Sequence, residues 1–309
     1  MSPFGNDPPA GARQRRRGGR ARGAIVVLAA VGALLAGCTA SGGAGGDHPP
    51  TPATSAGPVV VDPLAWVRSA GTALTSGALT VTVATGAAPT AAAPADGTTQ
   101  TATALAGPPL TVVPQDDGIS TATAQVPAGT PTPVVVATLA APDTATFDVQ
   151  SDGSVLVRDA AGAILGGLGV VAGTVDGASA GLAGLAAAGD GLLTLTLTTR
   201  AGDADLPATS VTVRLATVAV DRVEWTDRED EGGRSLAVFP SAWGRTGQLA
   251  AVEAGWAQVV ALAPDADTTG MHDQFVCHTI GAPDKESWNL EPWRPEVGSL
   301  ATLLARCNP

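Results

Sequence analysis

A mainly β fold, a sandwich or open barrel, followed by a small α+β domain with one disulfide, is what this sequence predicts, on three observations. From about residue 59 to 217 threonine alternates with aliphatic residues, as in "ALTVTVATG" (78–86) and "LLTLTLTTR" (192–200), which puts valine or leucine on one face and threonine on the other. A period of two is the mark of half-buried strands. Around residue 218 the composition changes: residues 218–309 hold five of the six tryptophans, the single lysine and two of the three histidines. The same stretch carries Cys277 and Cys307, an even pair that an oxidising compartment would bridge. At 309 residues the chain is long enough for two domains with real cores.

The N-terminus belongs to neither domain. Residues 11–23, "GARQRRRGGRARG", form a cationic segment, and "AIVVLAAVGALLAG" (24–37) is an apolar run too short to span a bilayer comfortably. The run leads into "LAGC", Leu35 to Cys38, which resembles the bacterial lipobox. That resemblance implies a signal peptide over residues 1–37, cleaved before Cys38, whose sulfur carries a diacylglyceryl group. The mature protein would then be an extracytoplasmic lipoprotein, held in the lipid bilayer at the outer face of the cytoplasmic membrane. Arg15 and Arg16 are adjacent, but their flanks do not support twin-arginine export, and the general secretory route is expected. Residues 1–37 carry six arginines and one aspartate, so the mature chain has 11 Lys+Arg against 27 Asp+Glu, a net of 11 − 27 = −16. An acidic chain of this kind is repelled by nucleic-acid backbones, and no nucleic-acid partner is expected. Residues 38–58 are rich in Gly, Pro, Ser and Thr and read as a disordered tether.

Within the β-domain, 59–217, "ISTATAQVP", "PVVVATLAAP" and "TSVTVRLATVAV" continue the strand pattern. Asp152-Gly153, between "TFDVQ" and "SVLVRD", is a hairpin turn. Residues 160–191, rich in Gly and Ala, read as a long loop or short helix. The glycines of "GGLGVVAG" (166–173) depart from the dinucleotide-binding spacing and lack a βαβ context, so a structural role is expected and no cofactor is implied.

In the C-terminal domain, 218–309, "AVDRVEWTDRED" and "RSLAVFPS" predict two strands joined by an acidic turn. "GQLAAVEAGWAQVVALAP" (247–264) predicts a helix whose Leu249, Val252, Trp256, Val259 and Val260 share one face. "TTGMHDQFVCH" predicts a second helix, capped by Thr268 or Thr269, with Met271, Phe275 and His278 on a common face. "SLAVFPSAWGR" (235–245), "MHDQFVCH" (271–278), "KESWNLEPWRPEVG" (285–298) and the final "CNP", in this order, resemble domain-of-unknown-function family 2599 of secreted bacterial proteins. The resemblance covers roughly the last 90 residues and implies no activity.

Function is therefore sought in side-chain chemistry. The segment 285–298 interleaves Lys285, Glu286, Glu291 and Arg294 with Trp288 and Trp293. As a binding surface, Trp288, Trp293 and Arg294 would meet a cell-wall glycan or an envelope protein. As an active site, His278 or a carboxylate, Glu286 or Glu291, would serve as base, with Lys285 or Arg294 stabilising an anion. As structure, the tryptophans would fill the core and Arg294 would pair with Glu291 or Glu296. Tryptophan in a small disulfide-bridged domain is more often packing than ligand contact. His272, Asp273 and His278 lack the spacing of a zinc site, and no metal is expected. A non-catalytic ligand-binding module is the favoured expectation, and an exported enzyme or toxin-like effector is the alternative. The two differ in whether His278 and the charges gather around one pocket or a tryptophan lies exposed beside them.

Overall fold

The computed structural model describes residues 62–89, 107–114, 118–174, 181–200 and 206–309. The signal segment, Cys38 and the tether lie outside the described residues. The chain opens with helix α1 (Pro63–Ala70), whose N-terminus is set by Asp62 accepting from Leu64 N–H at 3.0 Å and by Pro63. Eleven strands follow. β1 (Thr72–Ser76), β2 (Leu79–Thr85), β5 (Val134–Ala140), β10 (Leu192–Thr198) and β9 (Leu182–Gly189) form one antiparallel sheet in that spatial order. The second sheet is β3 (Leu110–Pro114), β4 (Ser120–Val126), β11 (Thr209–Ala216), β8 (Ile164–Thr174), β7 (Val155–Asp159) and β6 (Ala145–Val149), again antiparallel.

The alternation produces the sandwich. In β10, Leu193, Leu195 and Leu197 are buried and join Val81, Val83 and Leu139 of the first sheet and Val155, Val157, Val211 and Val213 of the second in one core. The intervening threonines face outward and pair across strands, as with Thr75 and Thr80 or Thr123 and Thr212, each at 2.9 Å. The Asp152-Gly153 turn joins β6 to β7 as predicted, with Gly153 at φ 82°.

Residues 160–191 differ from the expected loop or short helix, because most of this stretch is β8 and β9. Glycines at 166, 167 and 169 hide the period of two, since inward Leu168 and Val170 alternate with positions that have no side chain to score. The reason for those glycines is close approach. A Cβ at Gly167 would lie 2.6 Å from Trp243 Cζ2, and one at Gly169 would lie 2.6 Å from Gln248 Oε1.

Trp243 and Gln248 belong to the C-terminal module, which packs on the outer face of the second sheet. Its own sheet is β12 (Val220–Arg228), β13 (Gly233–Pro240) and β14 (Trp288–Leu290), with β13 central. Helices α2 (Leu249–Leu262), α3 (Thr269–Gly281) and α4 (Ser299–Leu304) complete it. Both predicted helices form, and Thr268 caps α3 by accepting from Met271 N–H at 3.3 Å. The predicted face of α2 holds in part, with Val259 buried and Val252 and Trp256 packed on the module core, and a second, unpredicted face of small residues is buried beside it. Ala250, Ala251, Ala254, Gly255 and Val259 are buried while Leu249 is exposed. The small residues let α2 approach Leu156, Ala216 and Trp243 closely at the seam, and Val252 and Trp256 pack on the module's own core.

The seam is built of directed bonds as well as apolar contact. Gln248 precedes α2 without capping it. The β6–β7 turn does so instead, Asp152 Oδ2 accepting from Leu249 N–H at 2.8 Å and Ser154 Oγ from Ala250 N–H at 3.1 Å. Burial raises the Asp152 pKa, but hydrogen bonds from the Ser154 hydroxyl and the Leu249 and Ser154 amides outweigh it and leave the carboxyl below its ordinary value. Arg158 of β7 bridges Glu253 of α2 at 2.5 Å and Asp148 at 3.0 Å. Gln258 accepts from Ala219 and Val220 N–H at 2.8 and 3.0 Å and donates to the Thr217 carbonyl at 2.8 Å, fixing the connection between sandwich and module.

Candidate functional site

The core of the module is aromatic. Trp288 has no solvent exposure, packs edge-on against Phe275 with ring centroids 5.5 Å apart, and donates from Nε1 to the Ala282 carbonyl at 2.9 Å. It lies in β14 because alternation puts Trp288 and Leu290 on the inner face, opposite Val238 and Leu236. A ligand cannot reach this ring without opening the core.

The other residues of 285–298 divide between solvent and internal clasps. Lys285 and Glu286 are exposed. Glu291 is 4% exposed and pairs with Arg294, which also donates to the Pro309 main-chain oxygen at 3.2 Å. Gln274 of α3 treats the backbone of Glu291 as a strand would, donating to its carbonyl at 3.0 Å and accepting from its N–H at 2.9 Å. Trp293 is half-buried against the Gly232-Gly233 turn between β12 and β13, with the Arg294 guanidinium 4.6 Å from its ring centroid. A Cβ at Gly232 would come within 2.9 Å of that ring, so the turn needs glycine there for contact as well as for its φ of 128°.

His278 sits in α3 with 5% exposure, its Nε2 3.1 Å from the Asn289 carbonyl. Nε2 must therefore carry the proton, leaving Nδ1 a bare, buried acceptor with no partner among the described residues. Burial, and secondarily the charge of Lys285, holds its pKa below the usual imidazole value, against the opposing effects of the Asn289 carbonyl and Glu291. His278, Lys285 and Glu291 are thus near enough to feel one another. They line no described cavity.

Cys277 and Cys307 are bonded, with Cα atoms 5.5 Å apart, as expected from their parity. The bridge ties the segment after α4 to α3, and Ser299 at the start of α4 donates to Asp273 of α3 at 2.5 Å. Arg245 ends the stretch "SLAVFPSAWGR". It is the lock of the region, donating to the carbonyls of Pro240 at 3.1 Å, Pro283 at 2.7 Å, Glu286 at 3.0 Å and Lys285. Among the described residues no group of three or more His, Cys, Asp or Glu is arranged to hold a metal ion.

The cavity of interest lies at the seam. It measures about 180 Å³ and lies between the outer face of the second sheet, at β8 and β11, and the link from β13 to α2. Arg214 and Gln248 supply its polar groups beside the Trp243 ring. Sequence reading passed over all three. Arg214 was a single charge within the alternating "TSVTVRLATVAV", the one cue available.

Comparison with known proteins bears on the C-terminal module. The family model described as "Protein of unknown function (DUF2599)" matches residues 220–309. Uncharacterized protein Rv0477 of Mycobacterium tuberculosis is 48% identical over 98 residues, 29% of this chain and 65% of its own length. Uncharacterized protein Mb0487 of Mycobacterium bovis matches to the same extent. Uncharacterized protein ML2452 of Mycobacterium leprae is 40% identical over 98 residues, 29% of this chain and 78% of its own. The chain thus spans just under two thirds of the length of the first of these relatives. No solved structure matches.

Proposed function

The chain belongs, through residues 220–309, to the family of proteins of unknown function DUF2599, and from that premise we propose that it is an extracytoplasmic lipoprotein, anchored through Cys38, whose folded part is a non-catalytic binding module for an envelope or extracellular ligand. One observation carries the non-catalytic reading: the groups an active site would need are spent on the fold. His278 faces the Asn289 carbonyl, Glu291 is paired with Arg294, and Trp288 is core. Lys285 and Glu286 stand in solvent, away from any described cavity. The seam cavity offers an aromatic ring, a guanidinium, a carboxamide and a hydroxyl, with no Asp, Glu, His, Lys or Cys among its lining residues. Such a lining suits recognition rather than proton transfer.

The test has two parts. Labelled palmitate should enter the wild-type chain in a bacterial host and not Cys38→Ser. The oxidised full chain in detergent micelles should give a saturable tryptophan-fluorescence change with envelope extract and release no hydrolysis product from it. Label in Cys38→Ser would refute the anchor, and turnover abolished by His278→Gln would move the reading to an exported enzyme.

A further inference from the structure

The seam cavity has a definite chemistry. Its floor is the outer face of the second sheet, where Gly169 of β8 pairs with Arg214 of β11. Because Gly169 has no side chain, the Gln248 carboxamide lies directly against β8 there, its Oε1 2.6 Å from where a Cβ would stand, and it lines the cavity together with the Arg214 guanidinium. Ile119, Val171 and Ala216 supply an apolar lining, and Trp243, itself 4% exposed, a flat wall.

Arg214 and Gln248 differ from most of the described arginines and glutamines in being unspent, a state Arg214 shares with the exposed Arg306, which lines no described cavity. Arg68, Arg158, Arg222, Arg228, Arg234 and Arg294 are each paired with a carboxylate, and Arg245 is saturated by carbonyls. Arg214 has no acidic partner among the described residues, and no carboxylate lines its cavity. The Gln248 carboxamide also makes no hydrogen bond within the protein among the described residues, although the Gln258 and Gln274 carboxamides are both fully engaged. A guanidinium and a carboxamide left unspent at the edge of an apolar recess are the donors that hold a carboxylate.

We infer that the cavity binds a small organic carboxylate, its anionic group on Arg214 and Gln248 and its apolar body against Ile119, Val171, Ala216 and the Trp243 ring. Size limits the body: a cavity of about 150 Å³ takes one benzene ring, so 180 Å³ fits a molecule on the scale of benzoate. The inference rests on the reading of the protein as a binder and adds the site and the ligand class. Arg214 is exposed, so affinity should weaken as salt rises.

Isothermal titration of the oxidised full chain in detergent micelles with benzoate tests it, with benzamide as the uncharged isostere and inorganic phosphate as an anion without an apolar body. Benzoate should bind saturably, and benzamide, phosphate and the Arg214→Gln chain should each be weaker by about tenfold or more, a difference of about 1.4 kcal/mol. Gly169→Val, whose side chain would displace the Gln248 carboxamide, should weaken binding, and the exposed Lys285→Gln should leave it unchanged. Benzoate bound equally by Arg214→Gln, or phosphate bound as tightly as benzoate, would overturn the assignment. If benzoate fails while envelope extract still binds, the ligand class falls and the binding function stands. If neither binds, both fall.

Discussion

The sandwich and the C-terminal module reach stability by opposite routes. The sandwich repeats one device, aliphatic in and threonine out, in strands such as β2, β10 and β11, so many side chains share the load. The module has three strands and three helices and depends on single residues. Trp288 fills its centre, Arg245 gathers four carbonyls, Gln274 completes a strand edge, and Cys277–Cys307 fastens the chain end. Small domains bury too little surface for repetition alone to suffice. The lesson is that unusual residues in a small module are first to be sought among its fasteners, and the segment "KESWNLEPWRP" illustrates it.

Substitutions sharpen the contrast. Trp288→Ala should have the largest effect, about 3–5 kcal/mol by denaturant titration, whereas Leu195→Val in the sandwich should cost about 1 kcal/mol. Reducing Cys277–Cys307, which closes a loop with a sequence separation of 30, should cost roughly 3 to 4 kcal/mol. Arg245→Lys should lose about 2 kcal/mol despite keeping its charge, since an ammonium cannot reach four carbonyls set around a planar fork. An equal response of the two regions would break the comparison.

The seam gives smaller, pH-dependent effects. Asp152→Asn should cost about 1 kcal/mol through the weakened cap on α2. The Asp152 pKa is lowered in the folded state, so its contribution is present above the unfolded carboxylate value and is lost as pH falls through the folded one. The wild-type advantage over Asp152→Asn should therefore vanish in acid. His278 also has a lowered folded pKa, so its neutral burial favours the fold above the ordinary imidazole value of 6.5 and loses that benefit as pH falls below it. Thermal melts of His278→Gln should show a shallower loss of stability from pH 7 to 5 than wild type.

Alternation, the Asp152-Gly153 hairpin, the two long module helices and the disulfide were all legible because each leaves a local mark. β8 was not, since glycine erases the alternation it serves, and the purpose of Gly167 appears only when Trp243, 76 positions away, is laid on it. Of α2 the periodicity found Val252, Trp256 and Val259 on the module core and missed the second buried face, for a related reason. Periodicity selected the large residues, whereas the close contact with the second sheet selected alanines 250, 251 and 254. Of the proposed site residues, Trp288, Glu291 and His278 are interior, and only Lys285 and Glu286 are freely exposed. Arg214 and Gln248 line one cavity from opposite regions of the chain, a juxtaposition no local pattern encodes.

The central claim is that 285–298 fastens the module and that recognition belongs to the seam. The most direct measurement is a fluorescence titration of the oxidised full chain with envelope extract, run in parallel on Arg214→Gln and on the double variant Lys285→Gln/Glu286→Gln. The account predicts saturable binding that survives the double substitution and weakens by about tenfold or more in Arg214→Gln. Binding lost with the double variant and retained in Arg214→Gln would contradict it and return the site to the tryptophan-rich segment.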